Sequence, residues 1–108
     1  MARLLPFTAV TDTGDKFDIE FPLHASTDSP IRVHQLLGDI LGTVSREVRR
    51  DTMSNGDVLQ ALTMAIAIRA RMIAADPTVT AQLAEDLLTN ALQGVSDANT
   101  SALPSGQA

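Results

Sequence analysis

The stretch from Asp57 to Ala75, DVLQALTMAIAIRARMIAA, constrains this chain more than any other. Its apolar residues recur with a helical period but take up too much of the helix. At 100° per residue, Val58, Leu62, Ile66 and Ile73 fall along one stripe. Met64, Ile68 and Met72 form a second stripe, and Ala61 and Ala65 join the two. With Leu59 they span roughly 220°, about twice the arc a surface helix needs. A helix of this kind either sits at the centre of its own domain or supplies half of an interface between chains. Met64, Ile68 and Met72 are the candidate interface, since thioether side chains adapt to irregular partners.

The residues before this helix predict a β-hairpin. Phe17, Ile19, Phe21 and Leu23 alternate with Asp18, Glu20 and Pro22, the period of a half-buried strand. Leu4 to Val10 is the partner strand, with Pro6 suited to an edge. Thr11 to Lys16 makes the turn, with Asp12 to cap it and Gly14 free to take a positive φ. All three phenylalanines lie in this hairpin, and two strands alone are marginal in water. The hairpin is therefore expected to lie on helices.

Three helices follow. Ser29-Pro30 opens the first, which runs to about Arg50 with Val33, Leu37, Ile40, Leu41, Val44 and Val48 as its core face. Ser54 or Asn55 caps the central helix, which is expected to end at Ala75 before Asp76-Pro77. Asp76 then caps a third helix, with Gly94 expected just past its end. From Ser96 to Ala108 the residues are small and polar, as in a disordered tail. The fold class is thus α+β: an N-terminal β-hairpin packed on a three-helix bundle. Residues 1–95 form a single ββααα domain and residues 96–108 the tail.

Gly38 and Gly42 stand inside the first helix, where each costs on the order of 1 kcal/mol relative to alanine. With His34 and Ser45 they make a stripe of mostly small residues. The expected role of His34, Gly38, Gly42 and Ser45 is close packing against Ala61 and Ala65, or else a groove for a partner.

The chemistry-bearing residues do not assemble into a motif. Without cysteine the chain has no disulfide, no thiolate metal site and no thiol nucleophile. Asp12-Thr13-Gly14 is the active-site triplet of aspartic proteases, and dimeric retroviral proteases are chains of similar length. The all-β context and flap of that family are missing here, so the triplet reads as a hairpin turn. The acids Asp12, Asp15, Asp18 and Glu20 do not follow the spacing of a calcium loop. His24, Asp28 and His34 do not follow a metal-ligand spacing. No catalytic residue, metal site or cofactor is assigned.

A formal net charge of −5 opposes binding to phosphates, and a chain with no Trp or Tyr has little to stack on bases. Nucleic acid is therefore not the expected partner. One resemblance points the other way. Strand Phe17–Leu23, a helix, the turn Ser54-Asn55-Gly56 and a second helix resemble the ribbon–helix–helix DNA-binding regulators over about a third of the chain. The resemblance implies a dimer whose strand enters the major groove. In that family the outward strand residues are often basic; here they are Asp18 and Glu20. No run of residues is long and apolar enough for a membrane span or a leader, and a cysteine-free chain suits a reducing compartment, so the cytoplasm is expected. The function expected from the sequence is a non-enzymatic interaction or regulatory module, a homodimer formed through helix 57–75. The alternatives are the DNA-binding regulator or an accessory subunit of a larger complex.

Overall fold

The computed structural model describes residues 3–11 and 13–102, the last two by their backbone. The chain is α+β, in the order β1 (Leu4–Val10), β2 (Asp15–Pro22), α1 (Pro30–Arg50), α2 (Asn55–Arg71), α3 (Pro77–Ser96) and β3 (Asn99–Ala102). It forms two compact units. One comprises residues 1–30 with 87–108, and the other residues 31–86.

The first unit is built on an antiparallel sheet of order β1-β2-β3. The register pairs Leu5 with Phe21, Phe7 with Ile19 and Ala9 with Phe17, so the apolar residues of both strands share one face. Leu5 and Ile19 are buried at its centre. The opposite face sets Thr8, Lys16, Asp18 and Glu20 among exposed Leu4 and Val10, and there Thr8 Oγ1 donates to Asp18 Oδ1 at 2.9 Å. Lys16 Nζ lies 3.6 Å from the other Asp18 oxygen.

The turn between β1 and β2 is closed by backbone bonds from Thr11 N to Asp15 O (2.9 Å) and from Gly14 N to Thr11 O (3.0 Å). Gly14 takes φ +91°, which a residue with a Cβ rarely adopts. The expected cap, Asp12, lies outside the described residues. Thr11 supplies a side-chain cap, its Oγ1 accepting from Asp15 N at 3.0 Å. After β2 the chain is held by Arg3, whose Nη2 donates to His24 O (3.0 Å) and Thr27 O (2.8 Å).

Two boundaries differ from expectation. α3 does not stop at Gly94. It continues to Ser96, and Gly94 is buried against β2. A Cβ there would lie 3.3 Å from Phe21 Cδ1 and 3.4 Å from Glu20 O. The glycine therefore marks close approach of helix to strand rather than a helix end. The stretch expected as a loose tail from residue 96 next forms β3, pairing Asn99–Ala102 with Asp15–Asp18. Residues 103–108 lie outside the described residues.

The second unit is helical. Ser54 caps α2 through a full capping box: Asp57 N donates to Ser54 Oγ at 3.0 Å, and Ser54 N donates to Asp57 Oδ2 at 3.2 Å. At the other end α2 stops at Arg71 with Met72 as C-cap, earlier than the expected Ala75. Past Met72 the backbone closes tighter turns, with Ile73 N donating to Ala70 O at 3.3 Å and Ala75 N to Ile73 O at 2.9 Å. Asp76 then caps α3, its Oδ1 accepting from Thr78 N at 2.8 Å. Residues 72–76 make the turn between the helices. Among the described residues no helix is long and apolar enough to cross a membrane.

Candidate functional site

Apolar side chains in the helical unit are left in water. Thr80 is its one buried residue among those described. On α2, Leu59 is 62% exposed, Met64 56%, Ile66 43% and Ile68 57%; the Met64–Ile68 stripe faces solvent, while on the other stripe Val58 and Leu62 are half-buried. Met72, the third candidate interface residue, is 63% exposed and sits at the C-cap rather than within the helix. Its αR backbone keeps it near the line of Met64 and Ile68, and Arg69 Nη1 donates to its sulfur at 3.3 Å.

The same holds for α1. Its expected core face is the less exposed side of the helix, with Leu37, Val44 and Val48 half-buried. Val33, Ile40 and Leu41 on that face remain about two-fifths exposed.

The extent of this surface can be gauged. Thirteen large apolar residues of the unit are exposed: five on α1, four on α2, and Met53, Met72, Ile73 and Val79 outside them. Full burial of such a side chain is worth about 1.5–3 kcal/mol at ~25 cal/mol per Å², or roughly 60–120 Å² each. With about half of each in water, on the order of 600 Å² of apolar side chain is uncovered. A stable protein interface buries about 800 Å² per partner.

The stripe His34, Gly38, Gly42, Ser45 lies along α1, and all but Gly42 are exposed. The expected packing against Ala61 and Ala65 is absent. A Cβ at Gly38 would meet nothing within 4 Å, and one at Gly42 would meet only Arg46 Nη1 at 3.8 Å. Ala61 and Ala65 are themselves exposed. The stripe is open surface in the single chain.

The sheet unit has a different feature, a cleft of about 500 Å³ between the Thr8–Asp18 face of β1–β2 and the end of α3. Asp18, Glu20 and Asp97 reach it, with Asn90, Gln93 and Asn99 as neutral donors and acceptors. Gln93 Nε2 donates to Asp97 Oδ1 at 3.0 Å. Among the described residues no three His, Asp or Glu side chains are grouped to hold a metal. His24 serves its own loop, with Nδ1 accepting from Ser26 N at 3.0 Å.

β2 is the central strand, paired with β1 on one edge and with β3 over Asp15–Asp18 on the other. β1 pairs with β2 over Lys16–Pro22, and β3 leaves the other edge unpaired only beyond Asp18, a shorter free edge than the ribbon Phe17–Leu23 of the ribbon–helix–helix resemblance needs. Comparison with family models, with curated proteins and with solved structures finds no match to this chain.

Proposed function

We propose that this chain is a non-enzymatic interaction module that works as a self-associated protein, with the helical unit as its contact surface. The observation that carries the reading is α2, whose apolar arc of roughly 220° leaves Leu59, Met64, Ile66 and Ile68 exposed. A helix whose apolar arc is about twice that of a surface helix needs neighbours to cover it. Exposed apolar surface of this extent marks association. Charge supports a second copy as the neighbour. Residues 31–86 carry seven acids against six arginines, so this unit is nearly neutral and repels its own copy little.

Sedimentation of the intact chain tests the reading. The expected result is a dimer or higher species that dissociates on dilution. Ile68→Glu should shift that equilibrium to monomer while helicity is kept, because Ile68 is 57% exposed in the single chain and an unpaired charge in an apolar interface is strongly disfavoured. A wild-type chain that is folded and monomeric at high micromolar concentration rejects the proposal.

A further inference from the structure

The self-association just proposed leaves open how two copies meet, and α2 carries a pattern that answers it. Asp57, Ala61, Met64, Ile68 and Arg71 recur at intervals of four, three, four and three. At 100° per residue they share an arc of roughly 80°, a single face of the helix. All five are exposed. Met64 is the midpoint, with Asp57 seven residues before it and Arg71 seven after, each about 10.5 Å away along the axis. The face is therefore neutral and apolar at its centre, acidic at one end and basic at the other.

Such a face complements itself in one orientation. We propose that two copies pair their α2 helices antiparallel, about a twofold axis passing beside Met64. A twofold interface puts residue i against j and j against i. Met64 then faces the partner's Met64, and Ala61 lies about 1.5 Å along the axis from the partner's Ile68, a small residue beside a large one. Asp57 stands level with the partner's Arg71 at both ends. A parallel pair would instead set aspartate on aspartate and arginine on arginine.

The end groups are placed to take up these bonds. Asp57 uses Oδ2 in the capping box, and a carboxylate has further acceptor positions on its other oxygen. Arg71 is exposed, and no hydrogen bond or ion pair within the described residues engages it. Exposed ion pairs add little affinity, about 0–1 kcal/mol. Their role here is orientation, with the apolar centre supplying the attraction.

The chain has no native cysteine, so single cysteines report the geometry directly. Met64→Cys should link to itself under mild oxidation. Ile68→Cys should not, because antiparallel helices hold the two copies of that position about 12 Å apart along the axis, beyond disulfide reach. Arg71→Glu should weaken the dimer at least tenfold by sedimentation, with circular dichroism confirming that the helices persist. An equimolar mixture of Arg71→Glu and Asp57→Lys chains should recover wild-type affinity, since both end pairs are then of opposite sign. A wild-type dimer in which Ile68→Cys links as readily as Met64→Cys, or in which Arg71→Glu changes nothing, overturns the antiparallel pairing and leaves self-association standing. A monomeric wild-type chain overturns both.

Discussion

Two glycines in helices here have opposite physical meanings. Gly38 has open space where a Cβ would go, so alanine meets nothing and removes the conformational cost of glycine. Gly38→Ala is expected to stabilise the chain by about 0.5–1 kcal/mol. Gly94 has Phe21 Cδ1 at 3.3 Å and the Glu20 carbonyl oxygen at 3.4 Å from its Cβ position. A ring can shift, but a strand's backbone carbonyl shifts only with its strand. Gly94→Val is expected to cost about 1–3 kcal/mol, the usual range for overpacking, despite valine's better helix propensity. Urea melts of the two variants should move in opposite directions. A Gly38→Ala chain that loses stability would mean that another molecule covers the His34–Ser45 stripe. Sequence could not separate these glycines, because spacing shows which residues share a face and not what stands opposite. The signal that did exist for Gly94 was its place on the apolar side of α3, one turn past Ala91.

At the scale of elements, local chemistry was legible wherever one residue decides the backbone. Pro30 and Pro77 open α1 and α3, Ser54 caps α2, and Gly14 makes the hairpin turn. The strand register followed from alternation, since a one-residue slip would turn Phe17, Ile19 and Phe21 to the opposite face. What composition concealed was β3. Asn99, Thr100, Ser101 and Ala102 have no apolar period, and only their pairing with Asp15–Asp18 makes them a strand. That pairing is testable. Truncation after Ser96 leaves one edge of β2 unpaired, while truncation after Ala102 keeps it. The shorter chain is expected to melt several degrees lower, since 1 kcal/mol corresponds to about 4–8 °C in a domain of this size. Equal melting temperatures would mean that β3 contributes nothing. The cap of α2 has its own expected cost: Ser54→Ala removes one half of the capping box and should destabilise by about 1 kcal/mol.

For the whole molecule, the two units differ in what holds them. The sheet unit holds the buried apolar residues Leu5 and Ile19, and it carries six of the acids against two bases. The helical unit is nearly neutral and leaves its large apolar residues exposed in the single chain. If a second copy covers those residues, the stability of the helical unit includes the free energy of association and so depends on protein concentration. Each tenfold dilution should remove about 1.4 kcal/mol per dimer from it. The chain offers separate probes for the two units. Far-ultraviolet dichroism is dominated by the helices, most of whose residues lie in positions 31–86. Phe7, Phe17 and Phe21 are the only aromatic residues, and all three belong to the sheet unit, so the near-ultraviolet signal reports that unit alone. On hundredfold dilution the helical transition is expected to move to lower temperature by more than the phenylalanine transition does. Identical shifts in both probes would mean that the units unfold together. A helical transition that ignores concentration would mean that no second copy stabilises it, and the exposed face of α2 would then need a different occupant.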